Sequence, residues 1–166
     1  MNIEQSLINK IKELSLPVII GISGFGGSGK SSFAKILGEK IGAKVIEVDS
    51  FQSPDIFSDK QYSLWDIMNY AQLEKEVIQP FLNNGKEKML IVEGVGLFRP
   101  ELNKYFAYKI WIDCPIETAT FRGKKRDREE YHTPQDEKWD GIWKKNDLQY
   151  YESFKPAEKA DIIVSN

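Results

Sequence analysis

The stretch Val18-Ile19-Ile20-Gly21-Ile22-Ser23-Gly24-Phe25-Gly26-Gly27-Ser28-Gly29-Lys30-Ser31-Ser32 decides the fold. It begins as an uninterrupted apolar run, which is typical of a strand buried on both faces of a parallel sheet. Residues 24–31 match the pattern G-x-x-x-x-G-K-[ST] at every fixed position, and a helix with one apolar face is predicted over 31–41. The order of strand, glycine-rich loop and helix predicts a phosphate-binding loop.

This loop has the residue types needed to hold a nucleoside triphosphate. Glycines let the backbone curl so that successive N–H groups face one concavity, and the N-terminus of the following helix adds positive charge. Lys30 can reach the β- and γ-phosphates, and the Ser31 hydroxyl can ligate Mg²⁺. The residues expected to hold the phosphates are Gly24, Gly26, Gly27, Ser28, Gly29, Lys30, Ser31 and Ser32. The alternative is a flexible turn with a solvent-facing lysine, but that alternative does not explain why a buried strand precedes the turn and an amphipathic helix follows it.

Apolar runs and helical patterns alternate along the rest of the chain. Further strands are predicted at 44–48, 89–93, 108–113 and 161–164, and further helices at 2–14, at 63–82, after Pro115 and from 136 onward. Such alternation predicts right-handed crossovers and a parallel sheet covered by helices. The 166 residues suffice for a single domain spanning 1–166, and no repeat or linker composition divides the sequence.

Composition excludes several classes of protein. Lys and Arg total 23 against 25 Asp and Glu, so the formal net charge is -2, and no general preference for nucleic acid or anionic membranes is expected. No apolar run approaches the ~18 residues of a membrane span. Cys114 is the only cysteine and cannot form an internal disulfide, which is typical of the reducing cytoplasm. We expect a cytoplasmic protein with a small-molecule partner, and the sequence leaves its oligomeric state open.

Three classes of protein use such a loop: small-molecule kinases, regulatory GTPases and motor ATPases. The N-K-x-D and D-x-x-G motifs of GTPases are missing, and no strand ends in the adjacent Asp-Glu of motor ATPases. A kinase needs a carboxylate near the γ-phosphate that orients or deprotonates the acceptor hydroxyl. Asp49, at the end of the second predicted strand, is the best candidate, and its alternative role is that of a turn or helix cap.

Two further groups belong to the expected machinery. Glu93 ends an apolar strand, where its charge requires a cation or hydrogen-bond donors, so a contact with Mg²⁺ through water is predicted, unless the strand end is solvated. Five of the seven residues in Arg122–Arg128 are basic. We expect a lid at about 122–135 whose Arg122 and Arg126 neutralise the transferred phosphoryl group, and the alternative is a solvated helix face paired with glutamates. No aromatic residues interleave these cations, which argues against nucleic-acid binding.

Several short motifs follow one another in a fixed order. They are Gly21 through Ser32, Val48-Asp49-Ser50-Phe51, Ile91-Val92-Glu93-Gly94, Asp113, Arg122, Arg126-Asp127, Pro156 and Ala160-Asp161-Ile162-Ile163. This set resembles the uridine kinase-like group of P-loop kinases. The resemblance implies a three-layer α/β fold with a five-stranded parallel sheet of nucleoside-monophosphate-kinase type and a short lid. It implies Asp49 as the catalytic base, with Ser31, Glu93 and Asp49 around Mg²⁺ and Arg122 and Arg126 as lid arginines. It also implies ATP or GTP as donor and uridine or cytidine as acceptor.

The chain departs from that group in one respect. Uridine kinases generally carry a β-hairpin before the Glu-Gly strand that helps to hold the nucleoside, whereas Gly85-Lys86-Glu87-Lys88 leads directly into Met89. Phe51, Tyr62 and Trp65 are the candidate acceptor contacts, although aromatic residues are more often core. The main hypothesis is an ATP- and Mg²⁺-dependent kinase that phosphorylates a nucleoside hydroxyl. The alternatives are a P-loop kinase for another acceptor, such as a riboside vitamin, sugar or coenzyme precursor, and a non-catalytic nucleotide-binding module.

Overall fold

The strands form one parallel sheet. The computed structural model describes residues 3–51, 69–84 and 87–166 of the chain. Its strands are β1 (Val18–Gly24), β2 (Lys44–Glu47), β3 (Met89–Glu93), β4 (Tyr108–Asp113) and β5 (Ile162–Ser165). They are arranged in the order β2-β3-β1-β4-β5, and every neighbouring pair is parallel. The predicted five-stranded parallel sheet of a P-loop fold is therefore confirmed.

Helices pack on both faces of this sheet. They are α1 (Gln5–Lys12), α2 (Lys30–Ile41), α3 (Tyr70–Leu73), α4 (Gln79–Asn84), α5 (Pro100–Asn103), α6 (Ile116–Glu129), α7 (Asp136–Lys138), α8 (Lys144–Phe154) and α9 (Pro156–Lys159). Periodicity missed α5 and α9, which both begin at a proline, a residue that suits the first helical turn. It also missed the π-helical turns Glu74–Ile78 and Trp139–Trp143. Within the described ranges no helix has the length and apolar character to cross a membrane.

The central strand β1 separates two apolar cores. All seven of its residues are buried, and it pairs with β3 on one side and β4 on the other. Its side chains alternate between the two faces of the sheet. Ile19 joins the core that contains Trp111, whereas Ile20 and Ile22 join the core that contains Phe33 of α2. The continuous apolar run therefore exists because both faces of this strand are covered.

A 3₁₀ turn at Val48–Phe51 carries the chain out of β2. Val48 is buried against Gly94, where a Cβ atom would lie only 2.7 Å from the valine Cβ. The predicted strand over 44–48 consequently ends one residue early, at Glu47. The turn places Asp49 in an exposed position at the carboxyl edge of the sheet.

Helix α6 lies directly against the loop that follows β1. Gly27 has a φ of +78°, and a Cβ atom at this residue would lie 2.1 Å from the Ala119 carbonyl oxygen. One turn further along α6, a Cβ atom on Gly123 would lie 2.4 Å from the ring of Trp139. Because Gly27 meets backbone atoms of the helix, no rotation of a side chain can relieve the crowding there.

Replacing Gly27 by alanine should therefore destabilise the protein by roughly 2–5 kcal/mol, since left-handed backbone and a clash add together. Gly42→Ala is the matched control: Gly42 has a φ of +70°, and no atom lies within 4 Å of the position that its Cβ would take. That substitution should cost only the about 1–2 kcal/mol of the left-handed backbone. Urea denaturation measures both values, and equal stabilities of the two variants would contradict the close approach of α6.

Candidate active site

The phosphate loop leaves β1 at the carboxyl edge of the sheet. Residues 24–29 form a tight turn in which Ser28 N donates to Phe25 O at 3.0 Å. Lys30 opens α2 with a buried side chain, and its Nζ donates to the Phe25 carbonyl oxygen at 3.5 Å. Backbone N–H groups, a helix N-terminus and an ammonium group thus converge on one concavity, which is the arrangement that binds phosphate oxygens.

All residues predicted to hold the phosphates lie in this loop or in the first turn of α2. The set comprises Gly24, Gly26, Gly27, Ser28, Gly29, Lys30, Ser31 and Ser32. Ser31 and Ser32 are exposed at the beginning of the helix, whereas Ser28 is buried in the turn. Their contacts with a nucleotide remain a prediction from the motif.

Glu93 ends β3 beside the phosphate loop. The strand register puts it next to Ile22 of β1, two residues before the loop begins. Its carboxyl is buried, and burial raises its pKa above the ordinary value. The Lys30 ammonium and a side-chain hydrogen bond with Ser31 oppose that rise in pKa, whereas the negative charge of Asp49 adds to it. The fold therefore brings together groups that were predicted on separate parts of the chain, namely Lys30 and Ser31 of the phosphate loop, Glu93 and Asp49.

The donor set around Glu93 fits Mg²⁺. Its Oε2 atom is buried and makes no hydrogen bond to any residue in the described part of the chain. The Ser31 hydroxyl lies beside the same carboxylate, and the exposed Asp49 is close enough to act on it electrostatically. Hydroxyl and carboxylate oxygens are the ligands that Mg²⁺ prefers. The ligand roles of Ser31, Glu93 and Asp49 remain predictions, which this arrangement supports.

A phenol, Tyr70, lies within electrostatic reach of Asp49, and a guanidinium stacks on its ring. The Tyr70 hydroxyl donates to Gly96 O at 3.5 Å, and the Arg99 guanidinium lies 4.7 Å from the Tyr70 ring centroid. Burial is the main cause that raises the pKa of Tyr70, and the negative charge of Asp49 contributes to the same rise. Arg99 also pairs with Glu101 at 3.5 Å. Tyr70 belongs to the segment predicted to face the acceptor, whereas Arg99 is not predicted from the sequence, because its contact with Tyr70 depends on the loop that follows β3.

The predicted acceptor contacts are placed only in part. Phe51 is half-buried and packs against the core on the side of the sheet that contains Trp111. Tyr62 and Trp65 lie outside the described residues. All three residues therefore remain candidate acceptor contacts.

The basic segment Arg122–Arg128 lies within α6, and four of its five cationic side chains form ion pairs with described residues. Its ion pairs join Lys124 to Asp140, Lys125 to Glu129, Arg126 to Asp127 and Arg128 to Asp136. Arg122 Nη1 contacts the sulfur of the buried Cys114 at 3.6 Å. Of these four acidic partners, only Glu129 is a glutamate. Among the described residues, the alternative of a solvated helix face paired with glutamates therefore applies only to Lys125. The lid at 122–135 and the catalytic roles of its arginines remain predictions.

Trp139 connects α6 to the phosphate loop. Its Nε1 donates to Asp127 Oδ2 at 2.6 Å, and Asp127 also accepts from Arg126 Nη2 at 3.0 Å. The ring covers Gly26, where a Cβ atom would lie 3.0 Å from Trp139 Cζ3. The close contact of this tryptophan with both α6 and the loop follows from the absence of side chains at Gly26 and Gly123.

Asp147 is a second carboxylate at the loop, and it is not among the residues predicted from the sequence. Its Oδ2 accepts a hydrogen bond from Gly26 N at 2.7 Å. Burial raises its pKa to about 6, although the Gly26 N–H and the Lys30 ammonium oppose the rise. Asp147 lies four residues after Trp143 and three before Tyr150, on the apolar face of the helix. A charged residue on such a face is the signal by which it could have been found.

Comparison with known proteins places the chain among kinases. Residues 26–161 match the family model described as shikimate kinase. A shikimate kinase from Persephonella marina is 31% identical over 161 residues, which cover 88% of this chain and 87% of that protein. A match of this extent assigns the family.

Solved structures share the fold. A protein from Bacillus stearothermophilus described as a possible uridine kinase has a TM-score of 0.68 at 16% identity, with 96% of this chain and 95% of that chain covered. A sugar kinase from Janibacter sp. HTCC2649 has a TM-score of 0.62 at 19% identity, with 89% and 84% covered. Their acceptors differ by name, so at these identities the likeness concerns the fold alone.

The comparisons favour the alternative acceptor over the nucleoside. The P-loop kinase fold implied by the uridine kinase-like resemblance is confirmed, whereas the family match supports a different acceptor. The protein is an ATP-dependent small-molecule kinase that transfers a phosphoryl group to an alcohol, and its family uses ATP and Mg²⁺. The chain belongs to the shikimate kinase family.

Proposed function

We propose that this chain phosphorylates a hydroxyl group of shikimate, with ATP as the phosphoryl donor. The observation that carries the proposal is the family match over residues 26–161. Shikimate is a small ring with several hydroxyl groups and one carboxylate. An enzyme that selects it has to orient one hydroxyl towards the γ-phosphate and has to compensate the negative charge of the carboxylate.

Arg99 supports an anionic acceptor. It lies on the loop after β3, and its guanidinium stacks on Tyr70, whose hydroxyl is within electrostatic reach of Asp49. A guanidinium can bind a carboxylate through two parallel hydrogen bonds. Its ion pair with Glu101 is weak because the Glu101 side chain is 64% exposed, so an acceptor carboxylate can replace it. A neutral nucleoside offers no carboxylate for this position.

The donor is held by the loop and by α2. The backbone N–H groups of residues 24–29 cradle the phosphates, and the Lys30 ammonium neutralises charge on the transferred phosphoryl group. Ser31 and Glu93 would hold Mg²⁺, which when bound neutralises negative charge on the phosphate oxygens. The buried Glu93 oxygen, which has no hydrogen-bond partner among the described residues, supports this assignment.

The acceptor hydroxyl meets Asp49. This carboxylate is exposed at the carboxyl edge of the sheet, so it can accept a hydrogen bond from the hydroxyl. It can take the hydroxyl proton as the new O–P bond forms and as the bond from the γ-phosphorus to the bridging oxygen breaks, which releases ADP. Arg122 and Arg126 lie on α6, which packs against the phosphate loop, and from there they can approach the phosphates. Positioning and charge neutralisation then account for most of the rate, because phosphoryl transfer requires little covalent chemistry from the protein.

The acceptor can be identified from ADP release in the presence of ATP and Mg²⁺. Shikimate should stimulate release, whereas uridine, cytidine and fructose should not. The uncharged methyl ester of shikimate should have a KM about 10- to 100-fold higher, because it loses a charge-assisted pairing with Arg99. Arg99→Met should raise the KM for shikimate by a similar factor and leave the KM for ATP unchanged. Stimulation by uridine, or by none of these compounds, would contradict the proposal.

Asp49→Asn removes the proposed base and keeps the shape of the side chain. Turnover should fall by ~10²-fold or more, because the amide cannot take the hydroxyl proton. ADP affinity measured without Mg²⁺ should stay within about twofold, because Asp49 is not part of the loop that holds the phosphates. Steady-state kinetics and calorimetric ADP binding measure the two effects, and Glu39→Gln on the exposed side of α2 is the control. Full turnover of the Asp49 variant would refute its role as base.

Glu93→Gln should make the protein more stable and less able to use Mg²⁺. Folding raises the Glu93 pKa, so the buried anion costs free energy once the pH exceeds the ordinary carboxyl pKa, and the cost levels off above the raised pKa. The Tm advantage of the glutamine variant should therefore grow over the pH range that begins at the ordinary carboxyl pKa and ends above the raised pKa. A higher Mg²⁺ concentration should be needed for half-maximal activity. Lower stability than wild type at the upper end of that range would contradict this account of Glu93.

A further inference from the structure

Helix α8 brings a carboxylate onto the phosphate loop. Asp147 Oδ2 lies 2.7 Å from Gly26 N, although 121 positions separate the two residues in the sequence. Asp147 is only 6% exposed, and a Cβ atom on Gly26 would lie 3.4 Å from the same oxygen. The Asp147 carboxylate thus accepts a hydrogen bond from one of the N–H groups that the loop would otherwise offer to a phosphate.

Packing holds this carboxylate in place. Trp139 covers Gly26 next to Asp147, and its Nε1 donates to the buried Asp127 of α6. Tyr150, one turn further along α8, is buried as well, and its hydroxyl accepts a hydrogen bond from Phe98 N at 2.8 Å. Helix α8 is therefore anchored on both sides of Asp147, so the carboxylate stays at the loop.

Two charged groups act on the Asp147 carboxyl. The Lys30 ammonium stabilises its anionic form, and the charge of Asp49 destabilises it. Lys30 is also the group that is expected to meet the β- and γ-phosphates. Phosphates that enter the loop would therefore compete with Asp147 for the same ammonium group. Because the surroundings are partly buried, the repulsion between this carboxylate and the phosphates is only weakly screened.

We propose that Asp147 is a positioning residue that lowers the affinity of the phosphate loop for nucleotides by holding Gly26 N–H and competing for Lys30, and that it takes up a proton when a nucleotide binds. Burial raises its pKa to about 6, so little free energy is needed to protonate the carboxyl near neutral pH. Nucleotide affinity should consequently increase as the pH falls towards 6. A lower affinity for ADP also speeds product release, which limits turnover in many enzymes.

Asp147→Asn tests the proposal, since the amide oxygen can still accept from Gly26 N–H while the charge is removed. Calorimetric titration with ADP at saturating Mg²⁺ and about pH 7.5 should give a Kd about 3- to 30-fold lower than that of wild type. Glu152→Gln removes the same charge from an exposed position on α8 and should change the Kd by less than about twofold. Equal affinities of the two variants, or weaker ADP binding by a folded Asp147→Asn protein, would overturn the proposal.

Proton uptake is a readout that a purely structural role would not change. Titrations at about pH 6.5 in two buffers of different ionisation enthalpy give the number of protons taken up with ADP. Wild type and Glu152→Gln should take up more protons than Asp147→Asn, and the exposed His132 is common to all three proteins. If Asp147→Asn does not fold, Asp147→Ser takes its place in both measurements, and proton uptake by that variant equal to the uptake by wild type refutes the proposal.

Discussion

The parallel pairing of β1 with β3 is the constraint on which the site depends. It puts Ile22 beside Glu93, and Gly94 N continues the ladder by donating to Ile22 O at 3.1 Å. Because β1 and β3 run parallel, both end at the carboxyl edge of the sheet, where the chain leaves β1 to form the phosphate loop. The geometry of the backbone therefore places Lys30 and Ser31 close to Glu93. The burial that raises the Glu93 pKa is a consequence of the same pairing.

The fold could be predicted from the sequence because its signals are local. Five short apolar runs and one glycine-rich loop specify the strands and the crossover after β1, and all five strands begin and end within two residues of their predicted positions. The π-helical turn at Trp139–Trp143 has no such signal. It contains the non-helical backbone of Gly141, and it places Trp139 between α6 and the phosphate loop. Contacts between distant segments determine that geometry, and hydrophobic periodicity does not encode them.

Those parts of the site that lie within one motif or at the end of one strand could be predicted from the sequence. Lys30 and Ser31 are adjacent in sequence, and Glu93 closes an apolar strand, so each could be found without the structure. Asp147 could not be linked to Gly26 because 121 positions separate them. The nucleoside acceptor was inferred from motifs that handle ATP and activate a hydroxyl, which kinases of many alcohols share. Acceptor choice depends on side chains outside those motifs, and Arg99 is one that only the folded chain brings against Tyr70.

The position of Trp139 limits which substitutions the phosphate loop and α6 can accept. The indole fills space that side chains at Gly26 and Gly123 would otherwise occupy, and its nitrogen depends on Asp127. A larger residue at position 123 would therefore require a smaller residue in place of Trp139, and such a pair of changes would cost less than the sum of the two single changes. The exposed side chains of α6 lie outside this mutual constraint.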